Sequence, residues 1–222
     1  MTMTRLNDAI ELIDWPQTRA LLLDLDNTLY AYQPCHEQGL RACHEHLVQA
    51  GVALGYDEFL SVYEQAKRRV KAYTKGQGAS HSRLLYFQGF FEAVKGRTEP
   101  GLSLEAERVY WTSFMERMRL AAGAAELLRA AKDRGARVCI VTDLTAAIQF
   151  EKLERLGIGE FVDYLVSSEE AGAEKPAPAM FDLALSKLNL SQKEVVLIGD
   201  DARKDGRGGA AAGIKTILVT AE

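Results

Sequence analysis

Short apolar runs alternate with amphipathic stretches along much of this chain. Ala20 to Leu23 is a continuous apolar run, the pattern of a strand covered on both faces. Four more runs follow: Arg137 to Val141, Phe161 to Val166, Val195 to Ile198 and Ile214 to Val219. Helical patterns over Thr145 to Leu156, Ala179 to Leu188 and Ala202 to Ala212 separate the last four. Strand–helix–strand repetition predicts an α/β fold, a Rossmann-like parallel sheet with helices on both faces. Gly135 and Gly157 stand where helix C-caps belong, each just ahead of the next run.

The stretch from Tyr32 to about Arg119 breaks this rhythm. It holds no good strand pattern. Helical stretches are expected near 36–50, 57–74, 81–95 and 103–119, punctuated by Gly51, Gly76-Gln77-Gly78 and Gly96 to Gly101. Phe59, Tyr63, Ala66, Val70 and Tyr73 form an apolar stripe at helical spacing. A helical module, residues 32–118, is therefore expected as an insertion into a core made of 1–31 and 119–222. Met1 to Pro16 reads as a short amphipathic helix with Leu6, Ile10 and Ile13 on one face. Asp8, Glu11 and Asp14 in that segment argue against a signal peptide.

Composition narrows the function classes. The 222 residues suffice for one large domain or a core with a smaller insertion. A formal net charge of −4 argues against non-specific binding to nucleic acid. No apolar stretch reaches the roughly 18 residues that would span a membrane. Three cysteines, an odd number in a chain of this size, point to a reducing compartment, hence the cytoplasm. Cys35-His36 and Cys43-His44-Glu45-His46 raise the question of zinc. His36, Leu40, Cys43, Leu47 and Ala50 recur at helical spacing, however, which places Cys43 on a buried stripe instead.

The candidate chemistry sits at the ends of the strand runs. Ligands in open parallel sheets bind beyond the carboxyl ends of the strands. The first run delivers Asp24-Leu25-Asp26-Asn27-Thr28, the second Thr142-Asp143. The loop from Glu169 to Pro178 delivers Lys175, and the fourth run delivers Gly199-Asp200-Asp201, with Asp205 close behind. Several carboxylates meeting at one edge repel one another unless compensated. A magnesium ion compensates them, because it takes a few carboxylate oxygens and keeps waters for substrate phosphate. Lys175 adds a second positive charge, and lysine, hydroxyl and metal together form a clamp for a phosphoryl group. One carboxylate can attack phosphorus, and a second two residues on can protonate the leaving oxygen and then activate water.

On these four motifs, in order and each at a strand end, the chain resembles the haloacid dehalogenase superfamily of phosphohydrolases. The resemblance spans the chain, and the helical insertion falls where the type I cap of that family sits. It implies that Asp24 is the nucleophile that becomes an aspartyl-phosphate. Asp26 is similar to the general acid/base, with its backbone carbonyl on the metal. Thr142 and Lys175 resemble the residues that hold the phosphoryl group, Lys175 also orienting Asp24. Asp200 resembles the magnesium ligand, and Asp201 or Asp205 would hold metal waters or anchor Lys175. Asp143, grouped with the phosphate-binding residues, stands where many members carry Asn.

The expected function is a magnesium-dependent phosphatase acting on a small phosphorylated metabolite, with no nucleic-acid or membrane partner. Three alternatives remain: a 2-haloacid dehalogenase, a phosphosugar mutase and a non-catalytic binding protein. Asp26 speaks against the first, since a halide leaves without a proton. The cap is expected to close over the substrate and set specificity. Tyr32, His36, Lys71, Tyr73, His81 and Arg83 are candidate specificity residues. Lys67, Lys71 and Lys75, with Arg68, form a basic row that could attract an anion, though a solvated helix face explains it as well.

Overall fold

The computed structural model describes residues 3–220. The chain forms two compact units. One comprises the chain up to Tyr32 and again from Arg119 onward, and the other is Gln33–Met118.

The first unit begins with a two-residue strand β1 (Thr4–Arg5) and helix α1 (Leu6–Leu12). The amphipathic reading of this segment holds for α1, where Leu6 and Ala9 are buried and Ile13 follows at 5% exposure. The strand before it was not expected, and Met1 and Thr2 lie outside the described residues. Strand β2 (Ala20–Leu23) comes next, buried at every position.

The helical unit follows. It contains α2 (Tyr32–Gln49, its first residue in the first unit), α3 (Tyr56–Tyr73), α4 (Arg83–Lys95) and α5 (Pro100–Arg117). Phe59, Tyr63, Ala66 and Val70 of α3 are buried as the stripe predicts, but Tyr73 closes the helix and is 68% exposed. Aromatic rings dominate this core: Phe59 lies edge-on to Phe90, and Tyr63 edge-on to Tyr86. The cysteine and histidines that raised zinc are engaged locally. The Cys43 thiol donates to the Ala106 carbonyl at 3.0 Å, His36 Nδ1 meets the Tyr110 hydroxyl at 2.7 Å, and His44 Nε2 lies 2.9 Å from the Leu54 carbonyl. Burial, with Arg83 and Lys67 nearby, pushes the His36 imidazole down to about 3, so it is neutral.

The first unit then resumes with α6 (Ala124–Asp133), β3 (Arg137–Thr142), α7 (Ala146–Leu156), β4 (Tyr164–Ser167), α8 (Ser168–Ala171), α9 (Pro178–Leu188), β5 (Val195–Gly199), α10 (Gly208–Ala211) and β6 (Lys215–Thr220). The sheet is parallel throughout, in the order β1-β6-β5-β2-β3-β4. Strand β2 lies inside it, with Leu23 opposite Ile140 on one side and Ile198 on the other. This register brings the ends of β2, β3 and β5 to one edge. Two expectations shift. The run from Phe161 becomes a 3-10 turn (Gly159–Phe161), and β4 starts at Tyr164. The Asp163 side chain accepts the Val138 amide at 2.8 Å, so a carboxylate stands in for the ladder ahead of the strand. The helix expected over Ala202 to Ala212 divides into a π turn (Ala202–Arg207) and α10. Among the described residues, no helix is long and apolar enough to cross a membrane.

Leu22 is fully buried in the cluster that also holds Cys139, Val141, Phe181 and Leu197. Truncating it leaves a cavity in a close-packed layer. Leu22→Ala is expected to destabilise the protein by about 3 kcal/mol, read from urea unfolding. A loss under about 1 kcal/mol would mean that the layer collapses to fill the void.

Candidate active site

The end of β2 runs directly into the site. The Asp24 amide still donates to the Ile198 carbonyl at 2.9 Å, extending the β2–β5 ladder by one rung. The chain then turns sharply: the Thr28 and Leu29 amides both donate to the Leu25 carbonyl, at 3.3 and 3.0 Å. Asn27 sits in the left-handed region at φ 62°, a conformation that Asn tolerates better than most residues. This turn places Asp24, Asp26, Thr28 and Tyr30 close together.

Asp24 is 5% exposed, and both its oxygens are held. Oδ1 accepts from Lys175 Nζ at 2.6 Å, and Oδ2 accepts from the Thr28 hydroxyl at 2.9 Å. Lys175 is itself buried and donates a second time, to Asp205 Oδ1 at 2.7 Å. Burial pushes the Asp24 carboxyl up from its ordinary 3.8 to about 8, with Lys175 pulling it down and Asp205 and Asp200 adding to the rise. Burial also opposes the Lys175 charge, but Asp24, Asp205 and Asp143 together hold its pKa above the ordinary lysine value. Asp200 is pushed up to about 6, mainly by burial and then by Asp205.

Asp24, Asp200 and Asp205 each present one oxygen within 4.8 Å of the others. They are not equivalent. Asp205 spends Oδ1 on Lys175 and Oδ2 on the Asp201 amide at 3.1 Å. The lysine anchor is therefore Asp205, aimed inward by the π turn in which the Asp205 and Gly206 amides both donate to the Asp201 carbonyl. The Asp201 carboxylate caps that turn, accepting the Arg203 and Lys204 amides at 2.7 and 2.9 Å. Close approach requires Gly199, because a Cβ there would lie 2.3 Å from the Asp205 side chain.

Thr142 ends β3 at 1% exposure. The Gln149 side-chain amide donates to its Oγ1 at 2.6 Å and to the Asp143 carbonyl at 2.7 Å. With that oxygen accepting from Gln149, the Thr142 hydroxyl proton can turn toward a phosphoryl oxygen. Asp143 is used structurally: Oδ1 accepts the Lys175 amide at 2.9 Å, and Oδ2 accepts from Lys204 Nζ at 2.7 Å. A neutral Asn there would lack the charge that pairs with Lys204. Burial works against the Lys204 ammonium, yet Asp143 holds its pKa above the ordinary lysine value. The next residue, Leu144, has φ 112°, outside the comfortable regions for a branched side chain, and Ser168 holds it by accepting its amide at 2.8 Å.

Asp26 is 29% exposed at its side chain and pairs with Lys152 Nζ at 2.6 Å. Gln149, Lys152 and Lys204 were not among the residues expected at the site. In the sequence, Gln149 and Lys152 look like the polar side of an amphipathic helix. The signal that finds them is positional: they lie three residues apart, on one face of the helix that follows Thr142.

Residues 18–213 match the family model described as haloacid dehalogenase-like hydrolase. The chain is 41% identical over 199 residues to a ribulose-1,5-bisphosphate 5-phosphatase of Halopiger xanaduensis, covering 90% of this chain and 83% of that one. It is 30% identical over 201 residues to a glyceraldehyde 3-phosphate phosphatase of Methanopyrus kandleri, covering 90% and 83%. In fold it is similar to the crystal structure of the HAD-hydrolase YfnB of Bacillus subtilis, with a TM-score of 0.69, 23% identity and coverage of 90% and 88%.

A carboxyl with a folded-state pKa above its unfolded value binds more protons folded than unfolded between the two values. Through Asp24, the metal-free protein therefore loses stability as pH rises from 3.8 to about 8. Asp24→Asn removes the buried charge, keeps the shape and leaves Lys175 its Asp205 partner. Without divalent cations at pH 8, its thermal midpoint is expected to lie about 2–5 °C above wild type. The gain should vanish near pH 4. A lower midpoint at pH 8 would show that the Lys175 ion pair outweighs the cost of burying Asp24.

Proposed function

This chain belongs to the haloacid dehalogenase-like hydrolases and is a phosphatase of that family, and we propose that it hydrolyses a short phosphosugar through an aspartyl-phosphate on Asp24. The observation that carries the mechanism is the buried Asp24, fixed at both oxygens by Lys175 and Thr28, with Asp26 two residues on. The phosphosugar is supported by the relatives, two of which are named for phosphatase activity on a ketose bisphosphate and a triose phosphate.

The residues present fit a magnesium ion. They offer hard oxygen donors, and Lys175 alone does not offset the clustered acids, since the Asp24 and Asp200 carboxyls stay raised beside it; a divalent cation supplies the further charge. Asp24 and Asp200 would hold it through their carboxylates and Asp26 through its carbonyl, while Asp205 stays with Lys175. When bound, magnesium draws charge from the phosphoryl oxygens and keeps Asp24 deprotonated.

In the first half of the reaction an Asp24 oxygen bonds to phosphorus. The bond from phosphorus to the sugar oxygen breaks, that oxygen keeps the electron pair, and Asp26 gives it a proton. In the second half Asp26 takes a proton from water as the water oxygen bonds to phosphorus. The bond from phosphorus to Asp24 breaks, returning the carboxylate and releasing phosphate. Lys175 and the Thr142 hydroxyl stabilise charge on the phosphoryl oxygens throughout. A halide would leave without a proton, so Asp26 favours phosphate ester hydrolysis over dehalogenation.

Substrate selection is assigned to the helical unit. Its Arg83, 5% exposed, donates to the His81 carbonyl at 2.6 Å and lies 4.9 Å from the Trp111 ring centre, which sets a cation in an aromatic interior. For localisation we favour a reducing cytoplasm: the three buried cysteines form no disulfide among the described residues.

With magnesium, kcat/KM for short phosphosugars should exceed that for nucleoside monophosphates and p-nitrophenyl phosphate. Asp24→Asn should lower phosphate release by at least about 10³-fold; near-normal hydrolysis by this variant would contradict the mechanism. Because metal binding displaces protons from Asp24 and Asp200, magnesium affinity should rise between pH 6 and about 8, with net proton release in calorimetry. Affinity independent of pH would remove these carboxylates from the metal site.

A further inference from the structure

Helix α7 arranges its side chains against the usual preference. Gln149 and Lys152 are wholly buried, whereas Phe150 between them is 58% exposed. Lysine is among the residues least often buried, and burying its ammonium is costly unless it is paired. The pairing is specific. Lys152 Nζ donates to Asp26 Oδ1 at 2.6 Å, and the fully buried Tyr30 donates its hydroxyl to the same oxygen. The ammonium also lies 5.7 Å from the centre of the Tyr30 ring, which favours the cation in this position. Two donors from two segments thus converge on one carboxylate oxygen, and that carboxylate is the partly exposed member of the trio.

We propose that Lys152 is a positioning residue for proton transfer, acting with Tyr30 to fix the Asp26 carboxylate so that Oδ2 exchanges the proton with the leaving oxygen and then with water. The inference rests on Asp26 being the acid/base of the proposed hydrolysis. Proton transfer needs the carboxyl within hydrogen-bond reach of the leaving oxygen, and a carboxylate on the surface of a turn has several rotamers. Two donors on Oδ1 select one of them. As the bond from phosphorus to the sugar oxygen breaks, that oxygen takes the Oδ2 proton. When water attacks the phosphorylated Asp24, Oδ2 takes a proton from the water. Lys152 forms and breaks no bond. Its contribution is confined to steps in which Asp26 moves a proton, which separates it from a residue that merely supports the fold.

The test compares two esters that differ in their need for that proton. The leaving group of p-nitrophenyl phosphate is stable as an anion, whereas a phosphosugar leaves as an alkoxide unless protonated. The ratio kcat/KM reports the first half of the reaction for each. In Lys152→Met, kcat/KM for the phosphosugar is expected to fall about 30–300-fold while that for p-nitrophenyl phosphate stays within about threefold. The inhibition constant of inorganic phosphate should also stay within about threefold, since the phosphoryl site is untouched. Tyr30→Phe removes one hydroxyl and keeps the ring. It should show the same selective loss on a smaller scale, about 3–10-fold, and serves as the test if Lys152→Met does not fold. Equal losses on both esters, or no loss on the phosphosugar, would overturn the proposal. A wild-type protein that hydrolyses neither ester would overturn the phosphatase mechanism itself, so the two failures are distinguishable.

Discussion

The Lys175 ammonium lies between Asp24 Oδ1 at 2.6 Å and Asp205 Oδ1 at 2.7 Å, with only 2% of its side chain exposed. An ammonium buried this way is tolerable only because two carboxylates meet it, and two buried carboxylates are tolerable only because of the ammonium. The surrounding structure serves this arrangement. Strand β2 must end at Asp24, β5 must end in a glycine that lets Asp205 approach, and the π turn must aim Asp205 inward. Asp143 fixes the Lys175 backbone by accepting its amide, and Lys204 in turn neutralises Asp143. With Asp200 beside them, the site still has more acid than base, which suits a divalent cation and a phosphoryl group.

Much of this was legible in the sequence, for a definite reason. Strands buried on both faces read as unbroken apolar runs, and in a parallel sheet their ends converge on one edge. Once β2, β3 and β5 are recognised, Asp24, Thr142 and Asp200 are brought near each other by topology alone. Lys175 is harder, because it stands on a loop, and only its place after the third run marks it. Whether Asp201 or Asp205 anchors the lysine could not be read from spacing. A regular helix and a π turn from the same residues aim different side chains inward, and the structure contains the π turn.

Other features were hidden because their cause is tertiary. Gln149 and Lys152 occupy the polar positions of an amphipathic pattern, and nothing local shows that α7 turns that side inward. Phe150, which apolar burial would place inside, is exposed instead. The Asp163 side chain delays β4 by taking the place of a backbone rung. Tyr73 fits the stripe of α3 but stands at its last turn, where the pattern outlasts the burial. For Lys152 and Asp163 a partner remote in sequence decides the outcome, whereas for Tyr73 the end of the helix does.

Hydrolysis by the proposed route requires Asp24 to become bonded to phosphorus during turnover. The direct measurement mixes enzyme, magnesium and a phosphosugar, quenches in acid within one turnover, reduces with borohydride and maps the peptides by mass spectrometry. An acyl phosphate on Asp24 would be reduced to homoserine at that position alone, and this is the result predicted. Unmodified Asp24 in samples quenched while phosphate is being released, or a reduced residue elsewhere, would contradict it.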